Sequence, residues 1–381
     1  MSVGGATRGA PVLGTIECRG FRNLVDARTG IEASVVVVHG PNGAGKTNLL
    51  EAVYFGLTGR SFRAGNDRDM IRYGEEGARA ELELIEGGTL LAALDRSGER
   101  RHLLGGRALS GAPDERPLVS VFHPDRLQLV KGAPAHRRAH LDRLSAAIWP
   151  ARADLRSRFG RTLAQRNALV ARVRAGLGGA GSLPSWDERL AAEAEPLIAA
   201  RAETVDALSV PFTELAERLG LPEGEISYRP RADGDAAELA TELARRREAD
   251  LGRAYTSYGP QLDEIELRLA GKQLRRFASQ GQQRLALLAL LFAEREVLLD
   301  AGRAPPLMLL DDVMSELDPS HREHLVSLLE PGGASREAEE PACGGQALIT
   351  ATEASQVPSA TALRIEMNGG ASSSSPALRA A

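Results

Sequence analysis

Four β-branched residues in a row, Val35-Val36-Val37-Val38, predict a strand buried on both faces, as in a parallel α/β sheet. Residues 80–85 alternate apolar and polar, and 89–95 answer them across Gly87-Gly88, which is a hairpin pattern. A second hairpin flanks Gly105-Gly106, and 12–18 and 118–122 read as further strands. Antiparallel ribbons beside a parallel core predict a mixed sheet. The period changes after Pro124. Leu155, Phe159, Leu163, Val170, Val173 and Leu177 form a helical stripe. Leu190, Ala194, Leu197, Val205, Leu208, Phe212, Leu215 and Leu219 form another, spaced by threes and fours as in a coiled-coil seam. Two long helices joined by a short loop make an antiparallel arm, with a third helix over 237–254 at its base. Strand character returns at 263–269. A strongly apolar helix over 280–299, a strand at 305–311, a helix at 320–329, a buried strand at 347–350 and an edge strand at 363–367 follow. Residues 1–11 and 369–381 have little to bury and are expected to be disordered.

The Val35–Val38 strand runs directly into Gly40-Pro41-Asn42-Gly43-Ala44-Gly45-Lys46-Thr47. Glycines at this spacing let the backbone N–H groups turn inward as a cradle for phosphate oxygens. Lys46 is placed to reach the β/γ-phosphates and Thr47 to bind Mg²⁺, and the helix that follows presents its positive end. This predicts a nucleoside-triphosphate site. Leu307-Met308-Leu309-Leu310-Asp311-Asp312 is an apolar strand ending in two carboxylates. With a phosphate loop upstream, Asp311 is assigned to the metal and Asp312 to polarising a water. Ser279-Gln280-Gly281-Gln282-Gln283 opens the 280–299 helix as a second anion site.

Bulk properties narrow the class. At 43% hydrophobic and 26% charged, the 381 residues are ordinary for a globular protein. The net charge of −4 means that any nucleic-acid surface is local. Cys18 and Cys343 form no C-x-x-C, which excludes a cysteine zinc site. No stretch approaches 18 apolar residues, and the N-terminus has no apolar signal region, so a soluble cytoplasmic protein is expected. Between Lys131 and Arg174 stand eleven Lys/Arg against two Asp, while 187–206 carries six acids against two Arg. Either these charges pair within the arm, or Arg137, Arg138, Arg152, Arg156 and Arg161 contact a phosphate backbone. With few aromatics to stack on bases, duplex DNA fits the second alternative better than single strands.

Phosphate loop, Ser-x-Gly-Gln at a helix start, Asp-Asp, then Ser315-Glu316-Leu317-Asp318 is the layout of the ATP-binding-cassette superfamily. Phe21-Arg22-Asn23, 59–63, Val121-Phe122-His123-Pro124, 129–132, Gln165-Arg166-Asn167, Tyr258-Gly259-Pro260 and Leu348-Ile349-Thr350 extend the match in order. On these residues the chain resembles the RecF family of bacterial recombinational-repair ATPases.

The resemblance implies an ATPase head split into 12–133 and 256–368, around a helical arm at 134–255. It implies ATP and Mg²⁺ as cofactors, with Asn48 and Arg22 added to the nucleotide contacts. Ser279, Gly281, Gln282 and Gln283 would close in trans on a second subunit's nucleotide, giving an ATP-dependent homodimer. Asp318 would be the D-loop acid, and Thr350, or else Thr352, would stand where transporter ATPases carry a switch histidine. An Asp rather than a Glu at 312 implies slow hydrolysis, and the resemblance implies a weak ATPase stimulated by DNA. It further implies action on double-stranded and gapped DNA with RecR and RecO, loading of RecA, a part in the SOS response and no membrane. The sequence departs from the family at Gln261-Leu262-Asp263-Glu264, where His-Arg-Asp-Asp is usual. The alternative from another class is the coupling subunit of an ABC transporter.

Overall fold

The computed structural model describes residues 12–63, 65–109, 116–330 and 345–375. In chain order the strands are β1 (Leu13–Arg19), β2 (Ala27–Gly30), β3 (Val35–His39), β4 (Gly77–Leu84), β5 (Thr89–Asp95), β6 (Arg100–Leu104), β7 (Arg107–Ala108), β8 (Val119–Phe122), β9 (Gly224–Arg229), β10 (Glu264–Leu269), β11 (Lys272–Gln273), β12 (Leu307–Leu310), β13 (Ala347–Ala351), β14 (Leu363–Asn368) and β15 (Ala371–Ser375). The helices are α1 (Lys46–Thr58), α2 (Gln128–Lys131), α3 (Pro134–Ile148), α4 (Leu155–Arg174), α5 (Leu183–Arg218), α6 (Ala236–Arg245), α7 (Arg247–Arg253), α8 (Leu274–Phe277), α9 (Gln280–Asp300) and α10 (Pro319–Leu329). They group into two compact units, one from Met1–Leu127, Arg218–Gly220 and Leu298–Ala381, the other from Gln128–Glu217 and Leu221–Val297.

The first unit is α/β, with α1 packed among two six-stranded sheets. One sheet is ordered β15-β14-β3-β13-β12-β8, with β15 antiparallel to β14 and the other pairs parallel. Val35 to Val38 and Leu307 to Leu310 are almost wholly buried, as strands covered on both faces must be. The register sets Leu310 beside Ile349 on one side and Phe122 on the other, and Ile349 beside Val37. The residues that follow these strands therefore emerge together along one edge, where open α/β sheets bind ligands. The other sheet, β2-β1-β4-β5-β6-β7, is antiparallel throughout. Its buried face (Ala78, Ala80, Leu82, Leu90, Ala92, Leu94) joins Leu50, Val53 and Leu57 of α1 in one core.

The second unit is helical with a small sheet, β11-β10-β9. Phe159 on α4, Leu190, Ala194 and Leu197 on α5, and Leu239 and Leu243 on α6 form its apolar core. Two buried charge networks stitch it together. Arg166, fully buried, donates to Asp187 (2.8 Å), Asp250 (2.8 Å) and Thr256 (2.7 Å). Arg201 donates to Asp142 (2.8 Å) and Asp263 (2.9 Å), and Asp263 also accepts from Tyr228. Charges this deep persist because each acid has several donors. Asp263 thus has a structural duty within the segment that departs from the family.

Several expectations need correction. The antiparallel ribbons form their own sheet; what makes the other sheet mixed is β15. β14 is interior, between β3 and β15, rather than an edge strand. Residues 371–375 of the expected disordered tail are strand β15, because pairing with β14 satisfies the backbone. Residues 256–297 group with the helical unit, not with the head. The helix over 237–254 is two, α6 and α7, and β2 and β9 went unforeseen. Residues 1–11 and 376–381 lie outside the described residues. Among the described residues, no helix is long and apolar enough to cross a membrane.

Replacing Arg166 by Ala opens a cavity and removes the cation shared by Asp187 and Asp250, leaving Arg247 on the first and Ser257 on the second. Urea unfolding is expected to show a loss of about 3–5 kcal/mol, and a loss under about 1 kcal/mol would contradict the network's role.

Candidate functional site

The loop from Gly40 to Gly45 links β3 to α1. Glycine is required at its first position, where φ is +141° and a Cβ would sit 2.3 Å from the Met367 carbonyl oxygen on β14. At Gly45, φ is +104°, a left-handed residue directly before α1. The loop is fastened from two sides. Asn23 Nδ2 donates to the Gly43 carbonyl at 3.0 Å, and Asn48 Nδ2 donates to Asn23 Oδ1 at 2.6 Å. Gly370, in the β14–β15 turn, donates its N–H to the Ala44 carbonyl at 3.0 Å. No side chain caps α1 and no acid stands in its first turn, so its positive end faces the loop uncompensated. Lys46 Nζ donates to the carbonyls of Gly40 (2.7 Å) and Pro41 (3.0 Å). Burial lowers the pKa of Lys46, and Asp312 and Asp311 nearby act in the opposite direction.

Asp311 is the meeting point. Its Oδ1 accepts the Thr47 hydroxyl at 2.8 Å and the Thr350 hydroxyl at 2.9 Å. Thr350 Oγ1 in turn accepts the Asp312 backbone N–H at 2.7 Å, so one hydroxyl joins both acids. Asp312 has φ +49°, a left-handed conformation that a non-glycine residue holds only under constraint, and its side chain is exposed at the strand end. A hydroxyl and a carboxylate 2.8 Å apart suit a hard, oxygen-seeking cation. Among the described residues, no group of three or more His, Cys, Asp and Glu could hold a metal by itself. Such a sparse pair suits Mg²⁺, which takes one or two protein oxygens and completes its shell with phosphate and water.

Behind the loop lies Glu51, a fully buried carboxylate on α1. It accepts two hydrogen bonds from Arg22 (3.0 and 2.9 Å) and one from Ser61 (2.6 Å), and pairs with Arg63 at 3.3 Å. Arg22, expected at the nucleotide, therefore commits its Nε and one Nη to Glu51. Glu51, Asn23 and His123, which faces Asp311, were given no role from sequence. Asn23 and His123 stood only as members of stretches that match the family, and Glu51 as a polar interruption of an apolar helix.

The other stations lie elsewhere in the chain. Ser279 and Gln282 cap the start of α9 reciprocally, at 2.9 and 3.2 Å, with Ser279 and Gly281 exposed, and Gln283 Nε2 donates to the Ala278 carbonyl at 3.1 Å. Asp318 caps α10, accepting from the His321 N–H (3.0 Å) and the Ser320 hydroxyl (2.7 Å), which holds its carboxyl well below the usual carboxylate range.

The five arginines expected to form a DNA surface stand in different settings. Arg137 is buried, with its guanidinium on Glu264 (2.9 and 2.7 Å) and the Gly132 carbonyl, so it cannot meet a phosphate. Arg138 donates to the Asp263 carbonyl at 2.7 Å. Arg152 pairs with Glu203 and lies 4.1 Å over the Trp149 ring. Arg156, 3.7 Å from Asp142, and Arg161 remain exposed on α4. Arg152, Arg158 and Arg166 pair with Glu203, Glu193 and Asp187, so part of the charge contrast read in the sequence is pairing within the arm.

Thr350→Val keeps the shape but removes the hydroxyl that joins Asp311 to Asp312. Denaturant unfolding should report a loss of about 1–3 kcal/mol; an unchanged midpoint would show that the bridge is not holding the strand ends.

A family model described as an AAA domain matches residues 15–98. The DNA replication and repair protein RecF of Heliobacterium modesticaldum is 36% identical over 328 residues, covering 83% of this chain and 88% of its own. The protein of the same name from Anaeromyxobacter dehalogenans strain 2CP-1 is 38% identical over 362 residues, covering 87% and 94%. A solved structure of the recombination mediator protein RecF with ATP, in the RecFOR pathway, superposes with a TM-score of 0.82 at 25% identity, covering 97% of this chain and 99% of that one. An Smc head bound to the C-winged helix domain of ScpA superposes at 0.57 and 18% identity over 97% of this chain, a likeness of fold. With likeness in sequence and fold running along nearly its whole length, the chain belongs to the RecF family of DNA replication and repair proteins.

Proposed function

We propose that the chain is an ATP-dependent DNA-binding repair ATPase that dimerises around nucleotide and releases DNA on hydrolysis. The observation that carries this is the convergence of Thr47, Asp311 and Thr350 beside the Gly40–Gly45 loop. The backbone N–H groups from Gly43 to Asn48 cradle the β- and γ-phosphates of ATP, and Lys46 exchanges its loop carbonyls for phosphate oxygens. Thr47 and Asp311 would hold Mg²⁺, which would supply positive charge to draw electron density off the phosphates. Asp312, kept in place by its left-handed backbone and the Thr350 bridge, orients the attacking water and accepts its proton. Its lone carboxylate in an exposed setting suits slow turnover, as a timed switch requires. Ser279, Gly281, Gln282 and Gln283 of a second copy close on the γ-phosphate, with Asp318 ordering the segment between the Asp pair and α10.

DNA engagement rests on the arginines that remain exposed, Arg156 and Arg161, and is independent of sequence. Family membership supports a place with RecR and RecO at gapped duplex DNA, promotion of RecA loading, a role in the SOS response and a cytoplasmic location. It also disfavours the transporter coupling subunit, since relatives at 36–38% identity are DNA replication and repair proteins.

Retention of a labelled duplex across a salt series tests the DNA contact. Binding is expected only with ATP and Mg²⁺. Arg161→Glu should reduce the salt slope by roughly one charge or more. Lys46→Ala should weaken ATP binding by about 10- to 100-fold and abolish retention. Retention independent of ATP and salt would contradict the proposal. For the chemistry, Asp312→Asn should cut turnover by about 10²-fold or more while leaving ATP affinity in place. Undiminished hydrolysis would move the base elsewhere.

A further inference from the structure

The second oxygen of Asp311 has a neighbour that phosphate binding does not explain. Oδ1 takes the two threonine hydroxyls, while Oδ2 lies 3.6 Å from Nε2 of His123. The pairing of Leu310 with Phe122 brings the next residue of each strand together at the sheet edge. The ring of His123 is held on both sides. Asp125 donates its backbone N–H to Nδ1 at 3.2 Å, so Nδ1 carries the lone pair and the proton of the neutral ring sits on Nε2. Phe62 packs on the imidazole with centroids 5.1 Å apart, and Tyr54 sets its ring edge-on to Phe62 at 5.5 Å. A ring whose Nδ1 accepts a hydrogen bond carries one proton only and is neutral. Arg63 is near, but its charge is engaged by Glu51.

We infer that His123 is a positioning residue for the cation site, its Nε2–H fixing Oδ2 of Asp311 so that Oδ1 stays turned to Thr47. This rests on the ATP and Mg²⁺ reading above. At 3.6 Å the contact is a dipole facing a charge rather than a formed hydrogen bond, and the aromatic wall of Phe62 strengthens it by excluding water. Neutrality is what makes a histidine suited to this place. A lysine or arginine would orient the carboxylate as well, but its full charge would oppose an arriving cation. A neutral N–H orients without that opposition, as partners behind metal-ligating side chains commonly do.

The test separates cation affinity from nucleotide affinity in the full-length protein. A fluorescent ATP analogue is titrated in EDTA and over a Mg²⁺ series, and Mn²⁺ electron paramagnetic resonance reads bound cation directly. His123→Ala should weaken the cation at the ATP-loaded site by about 10-fold or more while shifting ATP affinity in EDTA by less than about twofold. His123→Asn, which returns a neutral N–H, should regain most of that loss. Unchanged cation affinity in His123→Ala, or equal losses with and without Mg²⁺, would overturn the inference. The first result means that Asp311 needs no help, the second that His123 only supports the fold. If wild-type protein binds no ATP under either condition, the nucleotide reading itself fails, and the positioning role falls with it.

Discussion

The structure turns on a single carboxylate oxygen. Asp311 Oδ1 accepts hydroxyls from Thr47, 264 residues away in sequence, and from Thr350, 39 residues away. For both bonds to form, β12 must lie between β8 and β13, β13 must lie beside β3, and the register must hold to the residue. A slip of one place in a strand would turn its side chains to the opposite face and take Thr350 out of reach. The near-total burial of Val35–Val38 and Leu307–Leu310 keeps these strands inside the sheet, and the change from apolar to polar residues before Gly40 and at Asp311 marks where they end. The apolar core thus specifies the polar site at its edge, and the site in turn needs few residues of its own.

The same edge shows how strain and support are distributed. Asp312 stands in a left-handed conformation and Gly40 in one closed to side chains, while Asn23, Asn48 and Gly370 hold the loop that both adjoin. Glu51 anchors Arg22, Ser61 and Arg63 from behind, so the helix that presents its positive end also carries the acid that orders the neighbouring cations. That acid is itself fully buried.

Much of this was legible in the sequence because its signals are local. An apolar run, a glycine loop and Lys-Thr identify one strand, turn and helix, and a second apolar run ending in two acids identifies the other half. What was not legible depends on distant partners. Arg137 reads as one of a row of free cations until Glu264, 127 residues on, is brought against it. His123 reads as a strand-end residue until β8 pairs with β12. The 371–375 segment reads as disordered because composition reports what a side chain buries, whereas β15 is held by its backbone pairing to β14. Local charge balance likewise counts arginines without saying which are already engaged.

In the proposed switch, a few residues at one sheet edge would hold phosphate, cation and water, and the capped start of α9 would act on a second copy. The association of two copies around nucleotide is the central claim. Its most direct measurement is the mass in solution by sedimentation, with and without ATP and Mg²⁺. The account predicts a shift from the mass of one chain to that of two at saturating ATP and Mg²⁺, reversed as ATP is consumed. A mass that stays at one chain while ATP is demonstrably bound would contradict it.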